Sequence, residues 1–222
     1  MKRFNTLSAF SKWGIAIAFG IILIIILWVW VRTVSESKIW MLLIFLMVPV
    51  IQFLITPLFT LLNLYTYYSP MVVSLGNNKR FIDLHNGTSF DYLLEMSKIS
   101  PGIKWKNKML AHYLHALLKI IGQMESGHLS STTVVRGSSY FLSQRSAEKL
   151  GFKVNSASIA EKLNIVLNYV DLIWMYSLTN GKLTFPNLTN ISTVSITGSD
   201  LAKRKDKIQA LVNRLERNDA NR

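Results

Sequence analysis

The hydropathy pattern is dominated by two apolar runs near the N-terminus. No charged side chain occurs in residues 13–31 or in residues 39–64. A bilayer hydrocarbon core of ~30 Å takes about 20 apolar residues as helix. The first run just reaches that length and the second exceeds it. Between them Arg32, Ser35, Glu36 and Lys38 make a polar turn that cannot sit in lipid. The pattern predicts a helical hairpin over residues 13–64, preceded by a basic arm over residues 1–12. A separate soluble domain follows over residues 65–222.

Details of the two runs fit this reading. Trp13, Trp28 and Trp30 lie near the ends of the first helix, where an aromatic belt belongs. A cleaved signal peptide would be shorter and would need a small-residue cleavage site, which Val34-Ser35-Glu36 does not supply. The second run contains Pro49, Gln52 and Pro57. They could mark a transport or ligand pathway through an oligomer. The simpler reading is a kinked anchor with Gln52 packed against the first helix, because no ionisable residue accompanies it. Tyr65, Tyr67 and Tyr68 then suggest the headgroup level, and Ser69-Pro70 is expected to end the helix.

Beyond residue 70 the periods alternate between two and 3.6. Short strands are expected at 71–75 and 81–85, with Asn86-Gly87 as a turn. Thr88 or Ser89 caps a helix reaching residue 99. The clearest amphipathic helix spans 104–125, with Trp105, Met109, Tyr113, Ala116, Leu117, Ile120 and Met124 on one face. Lys108, His112, His115 and Lys119 form the opposite stripe. A strand is expected over 132–142 and a short helix over 143–151. Ser158 caps a strongly apolar helix over 159–178, read as the buried centre of the domain. Glu161, Lys162 and Asp171 argue against a third span there. A strand at 182–185 and a loop over 186–198 precede a last amphipathic helix at 199–216. Leu201, Ile208 and Leu215 are heptad-spaced in it, over too short a stretch to establish a coiled coil. The expected fold class is a membrane α-helical hairpin of two transmembrane helices followed by a small α+β, mostly helical, soluble domain.

Charge adds a partner class. The 222 residues carry 25 Lys and Arg against 12 Asp and Glu, a formal net charge of +13. A basic domain beside a bilayer is attracted to its anionic leaflet by ~1 kcal/mol per surface-proximal cation. Lys203, Arg204 and Lys207 crowd the last helix and are the candidate contacts with an anionic surface. The basic arm carries three cations and the turn two, so the Lys/Arg bias favours both termini in the cytoplasm. The expected location is an inner (plasma) membrane of bacterial type. The chain has no cysteine, which excludes disulfides, thiol catalysis and cysteine-ligated zinc.

Candidate chemistry is sparse. Asp83 and His85 share one face of a strand, and Asp91 and Glu95 share one face of the next helix. Were strand end and helix start to converge, these four could form a metal site or an oriented general base. Their spacing matches no diagnostic motif, and the alternative is turn-edge polarity. His112 and His115 have ligand spacing, but Lys108 and Lys119 beside them would repel a cation, so a solvated or anion-facing stripe is expected. Arg136-Gly137-Ser138-Ser139 lacks the spacing of a P-loop and reads as a strand bulge. Ser138, Ser139 and Ser143 have no sequence-local base. Residues 146–152 with the Ser158-capped helix loosely resemble a helix-turn-helix, but the second helix is too apolar to read bases. Asn86, Asn187 and Asn190 head glycosylation sequons, which matter only in a secretory lumen.

These readings favour a non-enzymatic, membrane-anchored accessory or interaction protein. It would present a basic domain to anionic lipid or a membrane protein partner, with homo-oligomerisation open and no cofactor implied. One alternative is a membrane-interface enzyme using Asp83, His85, Asp91 and Glu95. The other is a membrane-tethered DNA-binding regulator; its nucleic-acid partner is disfavoured by the apolar second helix.

Overall fold

The structure is a computed structural model and describes residues 4, 6–76, 78–138, 144–188 and 192–220. Ser8 caps the first helix, its hydroxyl accepting from the Ser11 N–H at 3.1 Å. Helix α1 then runs Ala9–Glu36. A 3-10 segment, Lys38–Leu43, leads into α2, Ile44–Leu61. The two helices pack against each other, and the Trp30 indole N–H donates to the Trp40 carbonyl across the turn. Both α1 and the stretch Lys38–Leu61 are long and apolar enough to cross a membrane. Their outer faces expose Ile17, Ile21, Ile24, Ile25 and Trp28, a surface unfavourable in water.

The end of α2 differs from the expectation. The helix stops at Leu61, and Asn63 takes a left-handed conformation (φ 54°) that asparagine tolerates. The Tyr-Thr-Tyr-Tyr stretch does not continue the helix. It is strand β1, Tyr65–Ser69, as its β-branched and aromatic residues favour.

The remaining strands are β2 (Val72–Leu75), β3 (Phe81–Asn86), β4 (Val134–Ser138), β5 (Lys153–Ser156) and β6 (Ser192–Thr197). They form one six-stranded sheet in the order β1-β2-β3-β4-β6-β5. Only β3 and β4 pair in parallel, in register from Phe81↔Val134 to Leu84↔Gly137. The domain is therefore richer in sheet than a mostly helical reading allows. Residues 182–185 form no strand, and part of the expected 186–198 loop is β6. Ser192–Thr197 lacks large apolar residues at its start, so polar composition masked a strand whose Val194 and Ile196 face the core.

The helices are α3 (Ser89–Glu95), α4 (Ile103–Glu125), α5 (Gln144–Lys149), α6 (Ile159–Leu167), α7 (Tyr169–Asn180), α8 (Gly198–Ala202) and α9 (Lys205–Ala220). The buried central helix is α4. Its Leu114, Leu117, Ile120 and Ile121 pack with Ile82, Leu84, Val135 and Ile196 of the sheet and with Ile208 and Val212 of α9. The 159–178 stretch is not that centre. It breaks at Asn168 into α6 and α7, and Ile159, Leu163, Val166 and Trp174 stay exposed. The last helix likewise divides: Thr197, not Ser199 or Asp200, caps α8, and the chain turns at Lys203 before α9.

The domain is joined to the hairpin by side chains. Phe90 of α3 meets Phe4, Phe53 of α2 and Phe19 of α1 edge-on, with centroids 5.6, 5.6 and 6.2 Å away. Thr56 and Thr88 share a buried hydroxyl–hydroxyl bond of 2.8 Å. The C-terminal half of α2 thus rests on α3, α6 and α7.

Candidate functional site

The four acidic and histidine candidates do not converge. Parallel pairing sets Asp83 beside Arg136, whose guanidinium donates to both carboxylate oxygens at 2.8 and 2.9 Å and lies 4.8 Å over the Phe81 ring. This pair is on the open face of the sheet, where such ion pairs contribute ~0–1 kcal/mol. His85 shares that face but lines a cleft. Glu95 is half-buried on α3, where its negative charge acts on His112 of α4.

Asp91 is fully buried and holds the start of α3. Its carboxylate accepts from the Thr88 N–H at 2.8 Å and the Thr88 hydroxyl at 3.2 Å, while the Tyr67 hydroxyl donates at 3.1 Å. This is a capping box closing the first turn of α3. Burial raises the Asp91 pKa to about 6 against the lowering effect of those bonds. Gly87 makes the box possible. A Cβ there would lie 2.9 Å from the Asp91 Cβ, so this glycine is required by close approach.

Beside that capping box a cleft of about 260 Å³ opens between α2, the β2–β3 pair, the first turn of α3, and helices α6 and α7. Its polar wall is built from Gln52, His85, Ser89, Asn164, Asn168 and Asp171. Gln52 reaches into the domain. Its amide donates to the Asn168 Oδ1 at 2.6 Å, linking α2 to the α6–α7 corner. Asn168 in turn donates to the Asn164 Oδ1 at 3.0 Å and the Asn164 carbonyl at 2.7 Å. Ser89 donates to the Asp171 Oδ1 at 3.1 Å. Val73, Ile165, Leu172 and Met175 supply apolar wall. Pro49 and Pro57 both lie inside α2, and Pro57 is buried.

An imidazole and a carboxyl line the cleft. Burial lowers the His85 pKa against the opposing pull of Asp83. Burial raises that of Asp171, opposed by the Ser89 bond. Among the described residues no Lys or Arg lines the cleft, and no group of three His, Asp or Glu side chains could hold a metal ion. Amides, one carboxyl and one imidazole beside apolar wall suit a small ligand rich in hydroxyl or amide groups. A phosphate would find no cation there.

Sequence reasoning missed Ser89, Asn164, Asn168 and Asp171. The signal was present: Asn164, Asn168 and Asp171 recur at helical spacing in an otherwise apolar run.

The other candidates fall elsewhere. His112 is buried within α4, not on a solvated stripe; burial and Lys108 lower its pKa to about 4. His115 is exposed and 3.1 Å from Glu216. The helix-turn-helix reading fails because strand β5 intervenes between α5 and α6. Gly137 stands in regular register opposite Leu84 and Val194, so no bulge forms there. Ser139 and Ser143 lie outside the described residues, as does Asn190. Asn86 is held by the Tyr113 hydroxyl at 2.8 Å, and Thr88 of its sequon is buried. Lys203 pairs with Asp200 at 2.9 Å, and Lys207 donates to the Lys149 carbonyl at 2.6 Å. Arg204 lies against Gly151.

Comparison of the chain with protein-family models, with curated proteins and with solved structures gives no match.

Proposed function

We propose that this is a non-enzymatic, membrane-anchored binding protein. In this reading the hairpin crosses the bilayer with both termini in the cytoplasm. The domain is held against it, offering the cleft beside Gln52 to a small polar ligand and its basic surface to a protein partner or anionic lipid. The observation that carries the reading is the junction itself. The hairpin's own Gln52 forms one rim of the cleft and is bonded to Asn168 on the other. The cleft is therefore built only when hairpin and domain are together. The enzyme alternative lacks a convergent set, since only His85 of its four residues lines the cleft.

Two measurements test this. With Ser35→Cys and Ser192→Cys introduced singly into a chain that has no cysteine, an impermeant thiol reagent on intact cells should label position 35 and spare position 192. The reverse pattern overturns the orientation. A photo-crosslinking residue at Asn164 should capture one defined small adduct from cells, resolved by intact mass in mild detergent. Capture no different from that at the exposed Asn155 rejects the cleft as a binding site.

A further inference from the structure

Among the described residues the apolar face of α6 is left largely open. Ile159, Leu163 and Val166 are 87, 58 and 37% exposed and follow i, i+4, i+7 spacing, which makes one stripe. The opposite side of α6, through Asn164 and Ile165, faces the cleft and the body of the protein. Lys162 flanks the stripe and is exposed. Three exposed aliphatic residues on nine helical positions are costly in water, at ~25 cal/mol per Å² of apolar surface left wet.

The height of α6 along the hairpin says what covers it. From Ile39, just past the polar turn, five 3-10 steps at about 2.0 Å and eight α-helical steps at about 1.5 Å reach Gln52. That is about 22 Å, short of a hydrocarbon core of about 30 Å. Tilting the helix only reduces the depth. Gln52 is thus still at lipid level, and Asn168, bonded to it at 2.6 Å, shares that level. Asn168 caps both the end of α6 and the start of α7. A helix at that height, packed inward on α2 and the cleft, turns its outer face to acyl chains.

We infer that α6 is an interfacial helix, with Ile159, Leu163 and Val166 immersed in the domain-side leaflet and Lys162 reaching up to its phosphates. The domain is then sunk into the membrane surface beside its anchor. The same occupant explains why α6 is apolar where a solvent-facing helix would be polar. It also gives Lys162 the position that flanking lysines take in helices lying in the interface. The inference rests on the hairpin crossing the bilayer, and the test separates the two.

Single cysteines at Leu163, Ile24 and Asn155 in the full-length protein are labelled with an environment-sensitive fluorophore and reconstituted into phosphatidylcholine–phosphatidylglycerol vesicles. Spin-labelled lipids carrying the quencher shallow or deep in the acyl chain are added. The expected result is strong quenching of the Leu163 label by the shallow quencher, quenching of the Ile24 label by the deep one, and neither at Asn155. Quenching at Ile24 without quenching at Leu163 rejects the interfacial helix and leaves the hairpin in place. No quenching at Ile24 rejects the hairpin. A disulfide-linked dimer through Leu163→Cys without lipid quenching assigns the stripe to a second copy of the chain and overturns the inference.

Discussion

Replacing His112 by Leu should reverse how the protein responds to mild acid. His112 is buried in α4, and its Nε2 finds no hydrogen-bond partner among the described residues. Its pKa is lowered to about 4 by burial first and Lys108 second, with Glu95 pulling the other way. A histidine with a depressed folded pKa stabilises the protein fully above its unfolded value of 6.5. That stability is lost as pH falls toward about 4, because the unfolded chain takes up the proton first. Between pH 7.5 and 5 the loss is about 2 kcal/mol by linkage. Asp91 acts in the opposite sense. Its folded pKa of about 6 exceeds the unfolded value of 3.8, so its contribution is largest in acid and disappears as pH rises through 6. From pH 7.5 to 5 it gains about 1.4 kcal/mol. Asp171 shifts in the same direction. The two effects nearly offset each other in the unmodified chain, whose melting temperature should change little over this range. In His112→Leu the carboxyl effects are opposed only by His85, whose pKa burial also lowers. The variant should melt up to about 3–6 °C higher at pH 5 than at pH 7.5, at ~2–4 °C per kcal/mol for a chain of this size. The assay is thermal unfolding by circular dichroism in mild detergent at one fixed scan rate. Equal pH responses of variant and parent would refute the opposition between His112 and Asp91.

Two further substitutions probe the frame of the cleft. Gly87→Ala places a methyl group 2.9 Å from the Asp91 Cβ, an atom held by its own backbone, so the capping box must open. A loss of about 1–3 kcal/mol in unfolding free energy is expected, and an unchanged melting curve would show that the box yields without cost. Phe90→Ala removes the ring shared by Phe4, Phe19 and Phe53, at about 3–5 kcal/mol for a buried aromatic. Hydrogen exchange should accelerate in α3 and the second half of α2 while α4 keeps its protection; equal acceleration in α4 would mean that hairpin and domain do not separate as units.

How far the sequence could be read depends on what each element faces. The hairpin was plain because two long uncharged runs have few other interpretations. Helix α4 and the apolar positions of α9 were plain because each has one wet face, so period 3.6 survives in the residues. Strand β6 was hidden because its outward residues are Ser and Thr, which read as loop. Strand β1 was hidden because tyrosines after an apolar helix have a competing explanation at the headgroups. The error at residues 159–178 has a different origin. Apolar composition suggests burial in protein, but α6 turns its apolar stripe outward and its polar Asn164 to the cleft. An amphipathic pattern fixes that two faces differ. It does not fix which face meets the protein. The cleft residues suffered from the same ambiguity: Asn164, Asn168 and Asp171 read as interruptions of a core helix, whereas they line the cleft.

That inversion also separates the two kinds of surface on this molecule. The cations of the last helix are engaged with the domain itself: Lys205 with Glu125 at 2.7 Å, Lys203 with Asp200, and Lys207 with the Lys149 carbonyl. Leu201 of α8 and Ile208 and Val212 of α9 are buried in the core, and Leu211 and Leu215 are partly buried against it. The amphipathicity of α9 is thus used in folding, and the cations left at its surface can act on an anionic leaflet or an acidic partner only through screened, long-range attraction. Helix α6 is the converse. Its stripe does no folding work, its charge is slight, and it stands next to the one side chain of α2 that reaches the cleft. On the proposed reading, contact with lipid by burial would belong to α6, and contact by charge to α9. The two should respond oppositely to ionic strength: salt weakens the second and leaves the first intact.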